Sequence, residues 1–168
     1  MGISRKRTFT SQIAPAPRRT EDLLAQGFRV GVAKGRVYRG VIDRIIEKYR
    51  NTPSVVEHDS PEQMVDSLIT MMAGGRIDAL IAYPMEAQYV AKAKNINVLS
   101  MPVAGMDDYG VTAVGCSKTK EGKEIIRRLN GLILKHRATL EFMNYTEYWL
   151  DSSALRRHRA FTRKEFGP

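Results

Sequence analysis

Short β-branched runs alternate with amphipathic stretches along most of this chain, and that alternation confines it to the α/β folds. Phe28 to Ala33 (FRVGVA) reads as a strand ending at the turn signal Lys34-Gly35. Val41, Ile42, Ile45, Ile46 and Tyr49 recur with helical spacing, which predicts a helix over Tyr38 to Tyr49. Asn51-Thr52-Pro53 breaks it, and Val55-Val56 centres a second strand. Ser60-Pro61-Glu62-Gln63 is a helix start, with serine as cap and proline in the first turn. Met64, Val65, Leu68, Ile69, Met71 and Met72 supply that helix with its buried stripe, and Gly74-Gly75 ends it.

The pattern then repeats. Ile77 to Ala82 (IDALIA) reads as a strand, Pro84 to Ala93 as a helix, and Asn97 to Val103 as a strand. Gly110 to Cys116 (GVTAVGC) is the last expected strand. Ser117 or Thr119 caps a long helix with Ile125, Ile126, Leu129, Leu132 and Ile133 on one face. A further helical region is predicted over Thr139 to Leu155, anchored by Leu140, Phe142, Met143, Tyr148, Trp149 and Leu150. The expected architecture is a partly parallel sheet flanked by helices. Ligands bind beyond the carboxyl ends of the strands in such sheets, so the loops Lys34 to Arg39 and Tyr83 to Glu86 are the places to look.

Composition excludes several classes. With 168 residues, 43% of them hydrophobic, the chain is long enough for one ordinary domain. No apolar run approaches the roughly 20 residues of a membrane-spanning helix. The single cysteine, Cys116, excludes an internal disulfide framework and a cysteine-based zinc cluster. The net charge of +9 suggests a polyanion until it is located. Residues 1–19 hold five basic residues and no acid, and residues 156–168 hold five against one, which leaves 17 of each sign in residues 20–155. The excess lies wholly in the two ends. Basic ends can hold phosphate backbones or anionic membranes. Without a nucleic-acid-binding motif beside them, nucleic-acid binding is not expected.

Lys34 to Arg39 runs from a strand end into a helix N-terminus, where free N–H groups favour an anion. Gly35 allows close backbone approach, Arg36 brings a forked donor, and Tyr38 brings a hydroxyl and a flat face. The alternative is a turn with solvated basic residues. Asp78 is a buried acid, a turn cap, or the partner of an arginine such as Arg76. His58, His136 and His158 lack metal-ligand spacing, so no metal site is expected. No nucleophile motif surrounds Ser117 or Cys116, so no catalytic residue, cofactor or enzyme activity is expected. Met64, Met71 and Met72 read as core, and Tyr148 and Trp149 as core anchors or a stacking surface.

Taken together, four segments carry a resemblance. Gly27 to Tyr38 (GFRVGVAKGRVY) resembles the first strand and ligand loop of the second lobe in type 2 periplasmic solute-binding proteins, the family of amino-acid-binding components of ABC importers. Gly74 to Pro84 (GGRIDALIAYP), Tyr109 to Gly122 (YGVTAVGCSKTKEG) and Tyr148-Trp149-Leu150 resemble later parts of that lobe and the returning helix. The resemblance covers roughly residues 5–152. It implies a type 2 lobe with most of the N-terminal lobe missing, divided as residues 1–22 (a basic N-terminal segment and remnant strand), 23–104 (the second lobe), 105–155 (returning strand and C-terminal helices) and 156–168 (a basic tail).

The implied function is non-catalytic binding of a small polar or anionic, amino-acid-like solute, linked to uptake through an ABC permease. Gly35, Arg36, Val37, Tyr38, Tyr83 and Glu86 are the expected ligand-binding residues. Amino-acid binders place an aspartate where Tyr83 stands, and tyrosine supplies no such charge at neutral pH. The alternative function is a truncated domain without a small-molecule ligand, whose exposed apolar surface makes it a self-associating or protein-interaction module. On either reading a homo-oligomer is expected. The resemblance implies a periplasmic location. Thr8 to Pro17 is too polar and proline-broken for the apolar section of a secretory signal, so Met1 as natural start would imply the cytoplasm.

Overall fold

A computed structural model describes residues 19–38, 40–59, 63–106 and 113–166. It is a mixed α/β structure with a small open parallel sheet flanked by helices. The elements run α1 (Thr20–Ala25), β1 (Val30–Ala33), α2 (Gly40–Tyr49), β2 (Val55–His58), α3 (Met64–Ala73), β3 (Ala79–Leu80), α4 (Pro84–Ala93), α5 (Lys120–His136), α6 (Leu140–Glu147) and α7 (Ser152–Phe166). The three strands lie in the order β2-β1-β3, both pairings parallel.

All four residues of β1 are buried, as expected of a central parallel strand covered on both faces. Alternation divides its side chains between those faces. Val30 and Val32 join Leu24 of α1, Ile42 and Ile46 of α2 and Val55 of β2 in one buried cluster. On the opposite face stands Gly31. A Cβ built there would lie 2.5 Å from Ile77 Cδ1 and 2.8 Å from Leu68 Cδ2. The glycine therefore lets the buried side chains Leu68 and Ile77 come down onto the strand.

Arg29, just ahead of β1, fixes β3. Its side chain donates to both Asp78 carboxylate oxygens, at 3.1 and 2.9 Å, and to the Gly75 carbonyl at 2.9 Å. Its own N–H donates to Asp78 Oδ2 at 2.8 Å, and its carbonyl accepts from Asp78 N–H, also at 2.8 Å. Asp78 thus takes the ion-pair role, with Arg29 across the sheet rather than with neighbouring Arg76.

Two expected elements differ. Asn97 to Val103 forms no regular strand beyond a single bridge residue at Val103, and two of its backbone groups bond to side chains instead of a ladder. Val98 C=O accepts from Gln88 Nε2 at 3.1 Å, and Ser100 N–H donates to Asp151 Oδ2 at 2.8 Å. Pro102 adds no donor. Of the expected strand Gly110 to Cys116, residues 110–112 lie outside the described residues, and 113–116 are exposed and not in a strand. The helical region expected over Thr139 to Leu155 consists of α6 and the start of α7. Asp151 starts the second, its Oδ1 accepting from Ser153 N–H at 2.8 Å and Ala154 N–H at 2.9 Å. That second helix, α7, runs through most of the basic stretch expected as a tail. Of the cap candidates for α5, Thr119 is the cap, accepting from Gly122 N–H at 3.1 Å. The expected cap Ser60, with Pro61 and Glu62, lies outside the described residues, and Gln63 is the residue that precedes α3.

Asp151 therefore ties α7 to the segment after α4. Burial acts to raise its carboxyl, but the bonds from Ser100, Ala154 and Ser153 outweigh it and hold the carboxyl below its ordinary value. A depressed folded pKa contributes stability above the unfolded value of about 3.9 and loses it as pH falls through the folded value. Asp151→Asn keeps a capping oxygen but cannot ionise. Its acid-unfolding profile below about pH 5 should be flatter than that of the wild type, as followed by circular dichroism. In urea titrations, Gly31→Val should cost about 1–3 kcal/mol, because Leu68 and Ile77 must give way.

Candidate functional site

The loop after β1 and the start of α4 meet at the carboxyl end of the sheet. Gly35 takes a φ of +77°, a conformation natural to glycine, and turns the chain so that Arg36 N–H donates to Ala33 C=O at 3.2 Å. Tyr38 folds back over this turn. Its hydroxyl accepts from Ala33 N–H at 2.8 Å, and its own N–H donates to Asp43 Oδ1 at 2.9 Å. Burial holds the Tyr38 phenol above its ordinary value, so it remains a neutral hydroxyl at physiological pH.

Arg36 is the centre of the group. Its side chain is only 19% exposed. The guanidinium carbon lies 5.7 Å from the Tyr38 ring centroid and 5.2 Å from that of Tyr83. Nη2 donates to both Glu86 oxygens, at 3.3 and 3.0 Å, and Nη1 approaches Met64 Sδ at 3.9 Å. Tyr83 is the N-cap residue of α4 and Glu86 lies in its first turn, where the helix dipole favours a carboxylate.

Five of the six expected binding residues thus belong to one cluster, Gly35 through the turn and Arg36, Tyr38, Tyr83 and Glu86 through direct contacts. The Val37 side chain is exposed. Arg39 lies outside the described residues. The N–H groups of Lys34, Arg36 and Tyr38 are already bonded, the first to His58 C=O at 3.0 Å. What the rim leaves open to an anion is therefore the Arg36 side chain rather than a cradle of free backbone donors.

Asp43 did not stand out in the sequence, while Met64 reads there as core and His58 as a histidine without metal-ligand spacing. The parallel register that pairs Ala33 with His58 brings that histidine to the rim, and its Nε2 is buried without a hydrogen-bond partner among the described residues. Lys34 pairs with Asp59 at 2.8 Å on the same edge. No cluster among the described residues could hold a metal ion.

The aromatic pair Tyr148-Trp149 stands apart from this rim. Trp149 meets Tyr89 and Tyr148 edge-on at 5.1 and 4.7 Å. Lys92 Nζ lies 4.3 Å from the Tyr148 centroid and donates to the Tyr148 carbonyl at 2.6 Å, so the chain supplies this cluster with its own cation. Cys116 is exposed. Comparisons with protein-family profiles, curated proteins and solved structures found no match.

The Tyr38 hydroxyl satisfies a backbone donor at the end of a buried strand. Tyr38→Phe should therefore cost about 1–3 kcal/mol in urea unfolding, the range for leaving such a donor unpaired.

Proposed function

We propose that the rim around Arg36 binds a small polar or anionic, amino-acid-like solute without chemistry, as the second lobe of a type 2 solute-binding protein would. The reading rests on one observation. A largely buried arginine at the carboxyl end of a parallel sheet lies beside two tyrosine rings, with one partly exposed carboxylate as its partner. A ligand carboxylate can replace Glu86 on the guanidinium fork with little loss of hydrogen bonding, and the tyrosine rings offer flat contact beside it. Glu86 is 42% exposed and can turn to water when displaced. A ligand that also carries an ammonium group would give it a partner again. On this reading the macromolecular partner is an ABC permease, as the family resemblance implies.

Titration calorimetry with amino acids, their deaminated analogues and small aromatic acids tests the proposal. Arg36→Ala should weaken binding by at least about tenfold, or 1.4 kcal/mol. Glu86→Gln should strengthen the binding of simple carboxylates, since their competitor has lost its charge. Equal affinity for wild type and a folded Arg36→Ala would remove the site.

A further inference from the structure

Among the described residues the longest helix, α5, has little apolar cover. Apart from Gly122, every residue of α5 is exposed or only half-buried. Yet its sequence is strongly two-sided. At about 100° per residue, Ile125, Ile126, Leu129, Leu132 and Ile133 fall on one stripe. Ile125, Leu132 and Ile133 are 49%, 55% and 40% exposed. Leu134 lies off the stripe and is also exposed. Leu140 and Phe142 of α6 add exposed apolar surface just beyond the helix end.

The surroundings of the stripe are basic. Within α5, Lys120, Lys123, Arg127, Arg128 and Lys135 stand against Glu121 and Glu124, five against two, for a net +3. At the far end Arg137 lies over the ring of Phe166, 5.1 Å from its centroid. That contact brings the last turn of α7, with Arg163 and Lys164, to the last turn of α5. Aliphatic residues on one face and a basic excess around them are the composition of a helix lying in a lipid–water interface.

From this we infer that α5 docks in the plane of an anionic lipid surface, its stripe among the upper acyl chains and its lysines and arginines at the headgroups. Charge decides between occupants. A second copy would bring another +3 helix against the first. A nucleic acid would satisfy the basic residues but leave the isoleucines and leucines in water. An anionic bilayer satisfies both. No helix among the described residues is long and apolar enough to cross a membrane, so the contact is peripheral.

Flotation with vesicles of phosphatidylcholine, alone or mixed with phosphatidylglycerol, tests the inference. The wild type should float with the mixed vesicles, bind those of phosphatidylcholine alone far more weakly, and lose most of its binding at high salt. The triple variant Ile125→Gln, Leu132→Gln, Ile133→Gln changes exposed side chains only. It should partition at least about tenfold less with unchanged circular dichroism. Arg128→Glu with Lys135→Glu should abolish the preference for the anionic lipid. Light scattering and an oligonucleotide competition belong to the same experiment. Each of these results would overturn the inference: no flotation, equal flotation of the triple variant, or a dimer that the triple variant dissociates in a protein that ignores vesicles. Displacement of the triple variant and the wild type alike by an oligonucleotide would also overturn it.

Discussion

The close approach of α3 and Ile77 to β1 at Gly31 sets the geometry of everything around the sheet. A central strand covered on both faces needs two close-packed layers, and here they are built differently. Val30 and Val32 reach up to α1 and α2 with branched side chains, whereas on the other face the strand presents only Gly31 and the small Ala33, and at Gly31 the partner comes to it. With α3 held close, β3 can pair on the far edge of β1, and α4 starts where the rim needs it. The Arg29–Asp78 pair, in which side chains and backbones bond to each other, locks the same edge. Surface ion pairs contribute little by themselves. This one matters through its register, because it fixes which residue of β3 stands opposite which residue of β1.

The rim is an electrostatic compromise. Arg36 is drawn out of water by two tyrosines and Met64, and a guanidinium so placed needs a partner. Glu86 provides it from the one position, a first helical turn, where a carboxylate is also favoured by the helix dipole. Among the described residues Arg36 and Glu86 therefore satisfy each other. On the proposed function, a ligand would compete with a contact already made, and discrimination would depend on how well its anion fits the fork.

Much of the first half of the fold could be read from the sequence because its signals are local. Pro84 after an apolar strand, and ten residues of helical spacing, place α4 from Pro84 to Ala93 as expected. The Lys34-Gly35 turn and the short Val55-Val56 strand are equally local. The apolar content of Asn97 to Val103 suits a strand, whereas the fate of its Val98 carbonyl and Ser100 N–H depends on Gln88 and on Asp151, the latter about fifty residues away. The Asp78 partner could not be chosen from spacing, since Arg76 is nearer in sequence and Arg29 nearer in space. The rim was legible as two loops at strand ends. That Glu86 pairs with Arg36 and that the Tyr38 hydroxyl turns inward to Ala33 depend on register and packing, and neither leaves a local mark.

The second half obeys a different balance. From α5 onward the helices hold themselves largely by caps and paired ends: Thr119 on α5, Thr139 on α6, Asp151 on α7, and Arg159 bonded to Glu147 at 2.6 Å between the last two. These are contacts a helix can make without a core, and each cap contributes on the order of 1 kcal/mol. They are enough to fix where the helices begin and how α6 meets α7, but they remove little apolar surface from water. The burial that stabilises the sheet half is thus absent where the aliphatic stripe of α5 is strongest. Sequence that commits five aliphatic residues to one face, and surrounds them with a basic excess, has spent its apolar surface on something other than the core described around β1.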